Sequence, residues 1–157
     1  MKKTIAVLVE NHFGVLTHVS GLFSARGFNI SSLAVGETED STISRMTIVV
    51  DGDEKTLEQV KKQLNRLIDV IKVIDLTDED FVDRELVLIK VNIDDKNRSE
   101  ILQAADTFQA KIDDARKKTT VIEVTGDQNK IRSFIETMKP FGIIEVVRTG
   151  RIAMGRK

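Results

Sequence analysis

Apolar residues along the chain recur at two spacings, and the change from one to the other cuts the sequence into short elements. Thr4–Val9 is rich in β-branched residues and stops at the polar group Glu10, Asn11 and His12, so it predicts a buried strand. Val15, Leu16, Val19, Leu22 and Phe23 then share one face of a helix, with Gly27 where a C-terminal cap belongs. Phe28–Val35 and Ser44–Val50 are extended segments joined by the polar residues 36–41, which makes a β-hairpin. Leu57, Val60, Leu64 and Leu67 predict a second helix. Asp53 stands before it as an N-cap whose carboxylate can accept from free backbone N–H groups. Val70–Leu76 predicts a closing strand.

The acidic stretch Asp75–Asp83 interrupts the apolar pattern and reads as a linker. The order then restarts with a strand at Glu85–Ile93 and a helix bearing Ile101, Ala105, Phe108 and, near its end, Ile112. Extended segments follow around Ala110–Asp114 and Thr120–Thr125. Aligning Gly52-Asp53 with Gly126-Asp127 superposes Leu57 on Ile131, Val60 on Phe134 and Leu64 on Met138, so strand, Gly-Asp turn and amphipathic helix occur twice. Pro140 ends the last helix, Phe141–Val147 predicts a final strand, and Arg148–Lys157 reads as a basic, solvated tail. The whole predicts an α+β fold of two ferredoxin-like βαββαβ units, residues 1–77 and 84–157, each with its helices on one face of an antiparallel sheet.

Composition narrows what such a chain can do. Its 24 Lys and Arg against 25 Asp and Glu leave a formal net charge of -1, so no global field draws it to a polyanion. With no cysteine it has no disulfide, thiolate nucleophile or Cys-ligated zinc, which suits a reducing compartment. No apolar run is long enough to span a bilayer, and the start lacks a signal-peptide pattern, so a cytoplasmic location is expected. Ferredoxin-like sheets that bind RNA stack bases on aromatic residues of central strands. This chain has no Trp or Tyr, and its seven Phe fall mainly on helix faces and strand starts, so no nucleic-acid partner is expected.

Catalytic constellations are scarce. The two histidines, His12 and His18, lack Cys, Asp or Glu at ligand spacing beside them, and no metal site is expected there. The pairs Asp94-Asp95 and Asp113-Asp114 read as solvated turns, because neighbouring carboxylates in a strand point to opposite faces. The informative segment is Asn11, His12, Phe13, Gly14, Val15 and Leu16, where a polar loop containing glycine opens directly into a helix. Unsatisfied N–H groups and the positive dipole end then face outward, and Gly14 lets a ligand approach the backbone, a geometry suited to a carboxylate. Asn11 offers both a donor and an acceptor to a zwitterion, and Asn29 could do the same from a neighbouring surface. An ordinary turn glycine with two loop asparagines accounts equally well for these residues taken alone.

Three stretches carry a resemblance: Asn11–Leu16; Gly21-Leu22-Phe23-Ser24-Ala25-Arg26-Gly27-Phe28-Asn29-Ile30-Ser31-Ser32-Leu33; and Ser44–Ile48. Together they resemble the regulatory, or small, subunits of acetohydroxyacid synthase, also called acetolactate synthase, with an N-terminal ACT domain. The similarity continues through Gly52-Asp53, Arg84-Glu85-Leu86 and Lys111-Ile112-Asp113 to Arg148-Thr149-Gly150, nearly the whole chain. Thr17-His18 stands where a Ser-Arg pair is usual, and Asp113-Asp114-Ala115 departs from the usual Asp-Val-Ser character. The resemblance implies a non-catalytic subunit that activates a separate catalytic large subunit and imposes feedback inhibition by valine or a related branched-chain amino acid. Thiamine diphosphate, Mg and FAD would sit on that partner, with no cofactor on this chain. It also implies a homodimer through ACT domains, in which Asn11, His12, Phe13, Gly14, Val15 and Leu16 of one copy face Asn29 and Ile30 of the other across a shared effector site. A free-standing amino-acid sensor acting on another partner is the alternative.

Overall fold

The computed structural model describes residues 2–157. The first unit runs β1 (Lys2–Glu10), α1 (Val15–Ala25), β2 (Asn29–Glu37), β3 (Ile43–Asp51), α2 (Glu54–Arg66) and β4 (Val70–Asp75). The second repeats the order with β5 (Phe81–Asn92), α3 (Arg98–Thr107), β6 (Lys111–Ala115), β7 (Thr119–Gly126), α4 (Gln128–Met138) and β8 (Ile143–Arg148), and β9 (Ile152–Gly155) follows. Strand orders are β2-β3-β1-β4 and β6-β7-β5-β8, with β9 paired to β5, and the ladders between neighbours in both orders are antiparallel. The two ferredoxin-like units that the hydrophobic spacing predicts are therefore present.

In the first unit Ile5, Val7 and Val9 of β1 and Met46, Ile48 and Val50 of β3 alternate onto the helix-covered face of the sheet, the period-2 consequence of the pleat. Val15, Val19 and Phe23 of α1 and Leu57, Val60 and Leu64 of α2 close over them. The Phe23 and Phe28 rings meet edge to face, 6.1 Å between centroids and 83° between planes. The second unit uses Val87, Ile89, Val91, Ile122 and Val124 against Ile101, Ile131, Phe134 and Met138 in the same way. Each helix that follows a Gly-Asp turn is capped alike: Asp53 accepts from the Thr56 N–H at 2.8 Å, and Asp127 from the Lys130 N–H at 2.9 Å.

Three sequence expectations need correction. Helix α3 stops at Thr107, and Ile112 lies on β6, paired with Ile122. The stop is made by Gln109 at φ 55°, a left-handed residue of a type that gives no warning in the sequence. The stretch Asp75–Asp83 is not an unstructured linker throughout: Leu76 is buried, and β5 begins at Phe81. The C-terminal residues are not a frayed tail. Ala153 of β9 is buried against Ala6 and Leu76, with Ile74 and Phe81 around them, on the face of the first sheet away from its helices. Arg45 Nη2 donates to the Ala153 carbonyl at 2.9 Å, the Arg151 N–H to Ser32 Oγ at 2.8 Å, and Arg156 Nε to Asp80 Oδ1 at 3.0 Å. Residues through Val82 together with Arg151–Lys157 accordingly form one compact unit, and Asp83–Gly150 the other.

The two Gly-Asp turns differ in what the glycine permits. A Cβ on Gly52 would overlap the edge of the Phe28 ring at its Cε1, and Phe28 is itself core, whereas one on Gly126 would first meet the aliphatic chain of Lys130. Gly52→Ala should therefore destabilise the first unit by about 1–3 kcal/mol, the usual range for an overfilled core. Gly126→Ala should cost less, because the lysine chain can swing aside. Chemical denaturation of the two variants beside the parent chain checks this ranking.

Candidate effector site

Strand β1 lies between β3 and β4, with Val9 opposite Ser44 on one side and Val70 on the other. The residues that leave its end are therefore flanked by the β2–β3 hairpin and by the α2–β4 connection. Both flanks hold the loop. The Glu10 N–H donates to the Asp69 carbonyl and the Asn11 N–H to the Thr42 carbonyl, each at 2.8 Å. Asn11 Nδ2 donates to Glu37 Oε1 at 3.1 Å and to the Ser41 carbonyl at 3.0 Å. In this chain, then, the Asn11 amide hydrogens clamp the loop to the hairpin rather than facing an empty surface.

Gly14 is the N-cap of α1 at φ 86°, a left-handed conformation that glycine adopts without Cβ strain, and the space where a Cβ would stand is open. No side chain caps this helix, and its first turn carries no acidic residue. The His18 N–H already bonds the Gly14 carbonyl at 3.1 Å, so the helix is formed from its first turn. An uncapped N-terminus of an 11-residue helix presents N–H donors and a partial positive charge. The corresponding loop of the second unit bonds within itself, although α3 too begins without a side-chain cap: Asp94 Oδ1 accepts from the Lys96 and Asn97 N–H groups, and Asn97 Oδ1 from the Asp94 N–H.

The residues singled out from the sequence separate into groups. Phe13 is fully exposed and Leu16 44% exposed, so both offer apolar surface beside Gly14, while the Val15 side chain is committed to the core. Asn29 and Ile30 open β2, where Asn29 is exposed and Ile30 packs partly against the core. Asn29 pairs with Asp51, which also pairs with Lys2, so these residues lie at the far end of the sheet from the Glu10 end of β1. Nine residues of strand intervene, roughly 25–30 Å. One copy of the chain thus does not bring Asn29 and Ile30 to its own loop. Strand β2 is an edge of the sheet in the order given above.

Asp69 belongs to this neighbourhood although nothing in the local sequence points to it. Its Oδ1 stands 2.7 Å from His12 Nε2, its Oδ2 is 4.0 Å from His18 Nδ1, and Glu10 Oε2 lies 3.5 Å from His12 Nε2. The available signal is topological, since a β4 strand paired with β1 must deliver the residue before Val70 to the end of β1. Asp113 and Asp114 lie on β6 and not in the solvated turn expected of them, and their side chains separate: Asp114 pairs with Arg116 at 3.1 Å, while Asp113 shares a hydrogen bond with Glu123 that raises the Glu123 carboxyl above its ordinary range.

His12 is held above its ordinary value of 6.5, first by the Phe13 carbonyl, which faces ring Nδ1 at 3.4 Å, and further by Asp69 and Glu10. A raised folded-state pKa means that the protonated ring is preferred in the folded chain. The resulting stabilisation is complete below pH 6.5 and is lost as the pH rises through the folded value. An NMR titration of the His12 ring should give a midpoint above 6.5. In Asp69→Asn that midpoint should move down, and an unchanged one would remove Asp69 from the account.

Comparison with known proteins then identifies the architecture. Residues 5–72 match the model described as an AHAS small subunit-like ACT domain, and residues 84–157 the model described as the small subunit of acetolactate synthase. A protein of Archaeoglobus fulgidus described as a probable acetolactate synthase small subunit is 54% identical, covering 99% of this chain and 98% of that protein. The acetolactate synthase small subunit of Aquifex aeolicus is 50% identical, covering 99% of this chain and 82% of its own. The crystal structure of the acetolactate synthase small subunit from Thermotoga maritima superposes with a TM-score of 0.88 at 41% identity, covering 100% of this chain and 98% of that one. The chain belongs to the family of acetolactate synthase small subunits, and its N-terminal unit is an ACT domain.

Proposed function

We propose that this chain is a non-catalytic regulatory subunit that activates a separate thiamine diphosphate-dependent acetolactate synthase and confers feedback inhibition by valine or a related branched-chain amino acid. Thiamine diphosphate, Mg and FAD belong on that catalytic partner. Residues 1–77 bind the effector and dimerise, and residues 84–157 form the second regulatory domain, with the last seven residues returning to pack on the first sheet.

The observation that carries the effector half of this reading is the open N-terminus of α1 at Gly14. An amino-acid carboxylate placed there would meet backbone N–H donors, and Phe13 and Leu16 supply apolar surface for a branched side chain. Asn29 and Ile30 of a second copy, brought in along the β2 edge, complete the site in this reading. The separation of these residues from the loop within one chain is what a shared site requires. Binding shifts the subunit between two arrangements only by its differential affinity for them, and about 1–3 kcal/mol of coupling is enough for a typical allosteric response.

Mixing the purified chain with its catalytic subunit should raise acetolactate formation, and valine should then lower it; no change on mixing would sink the regulatory reading. Gly14→Asp puts a carboxylate where the effector carboxylate would sit. It enters open space and a backbone conformation that Asp tolerates better than most residues, so the fold should survive. The variant should still activate the partner but resist valine. Normal valine binding by calorimetry would reject Gly14 as part of the site.

A further inference from the structure

Behind the helix N-terminus the same loop carries a second, oppositely charged feature. Glu10, His12 and Asp69 each bring one ligand atom to a common point, all within 4.8 Å of one another. His12 Nε2 lies 2.7 Å from Asp69 Oδ1 and 3.5 Å from Glu10 Oε2. In a tetrahedral zinc site with bonds of about 2.0–2.2 Å, neighbouring ligand atoms sit about 3.3 Å apart. These two separations bracket that value, while the Glu10 and Asp69 ligand atoms lie up to 4.8 Å apart, so the exposed Glu10 side chain would have to move by about 1 Å or more to complete the set.

The backbone around the three donors is already fixed. The Glu10 N–H bonds the Asp69 carbonyl at 2.8 Å, and the His12 N–H bonds the Glu10 carbonyl at 3.1 Å. Ring Nδ1 of His12 faces the Phe13 carbonyl at 3.4 Å, so a ring whose Nε2 proton has been displaced by a metal can keep its remaining N–H directed at that carbonyl. Charge points the same way. Two carboxylates share one imidazole, so even a protonated His12 neutralises only half of their charge, whereas a divalent cation balances both. The side chains of Glu10 and His12 are half exposed and that of Asp69 is 23% exposed, which leaves the point reachable from solvent.

We propose that Glu10, His12 and Asp69 form a three-ligand site for a borderline divalent metal ion of the zinc class, with the remaining coordination positions open to water. An imidazole donor beside two carboxylates favours zinc, cobalt or nickel over magnesium or calcium. The ion would replace the proton that His12 Nε2 shares with Asp69, and would tie the β1–α1 loop to the α2–β4 connection. His18, whose Nδ1 is 4.0 Å from the other Asp69 oxygen, is left outside the ligand set.

The test uses the full chain, freed of metal by chelation and titrated by calorimetry with Zn2+ and separately with Mg2+. A single equivalent of Zn2+ should bind per chain, more tightly than Mg2+, and more weakly as the pH falls through the His12 titration. Co2+ should give visible absorption of a low-coordinate site. His12→Gln and Asp69→Asn should each weaken Zn2+ binding by more than about tenfold, while His18→Gln leaves it unchanged. Circular dichroism reports whether each variant folds. His12→Gln alters an exposed side chain, so it decides the matter even if Asp69→Asn perturbs the fold. Zn2+ binding equal in the parent and His12→Gln, or no tighter than Mg2+, overturns the proposal.

Discussion

The pairing of β1 on both of its edges is the constraint on which the rest of the first unit depends. A strand with neighbours on each side must hold its register with both, and here Val9 faces Ser44 and Val70 at once. Because Ile5, Val7 and Val9 are buried on the helix side, a slip by one residue would turn that whole row to the opposite face. The register is thus locked by burial, and the position of everything beyond Glu10 is locked with it. The loop need not be rigid in itself, because the hairpin at 37–42 and the Asp69 connection hold it from either side.

The two units apply one architecture to different ends. In the second, the loop that leaves the central strand spends Asp94 and Asn97 on its own backbone N–H groups, ahead of a helix that also has no side-chain cap. In the first, the equivalent place is held by Gly14, which has no side chain to give, and no other residue caps the helix. A cap contributes about 1 kcal/mol of helix stability, and a chain that forgoes it leaves N–H donors for something else. The difference between the units lies in the loop and not in the cap, since neither α1 nor α3 has a side-chain cap and the element order is shared.

Much of this was legible in the sequence because burial imposes period. Leu57, Val60 and Leu64 and their counterparts Ile131, Phe134 and Met138 are all buried, as their spacing and the repeated Gly-Asp turn require. What escaped was set by partners far along the chain. The strand at Ile152–Gly155 owes its order to Ala6 and Leu76, and a single buried alanine is a weak hydrophobic signal beside Arg151 and Arg156. Asn11 looked like a free donor because Glu37 and Ser41 come to it only through the β2–β3 register. The two histidines looked isolated for the same reason: Asp69 is remote in sequence, and only the β1–β4 pairing brings it to them. A site built from strand ends is encoded in topology, so local spacing sees only one of its sides.

The separation of the loop from Asn29 and Ile30 has a thermodynamic consequence if an effector bridges two copies. Each copy would contribute a different half of the site, so the ligand contacts that stabilise binding would be the same contacts that stabilise association. Linkage then requires the effector to tighten the dimer by the factor by which dimerisation tightens the effector. Apparent affinity would depend on protein concentration, unlike that of a pocket enclosed within one chain. The free β2 edge also has a use in such an arrangement. Unpaired backbone groups along an edge strand invite pairing with another strand, and a second copy would satisfy them while bringing its own Asn29 toward the loop. Sensing and assembly would then draw on one interface, with the registered end of β1 fixing where the other half of the site must arrive.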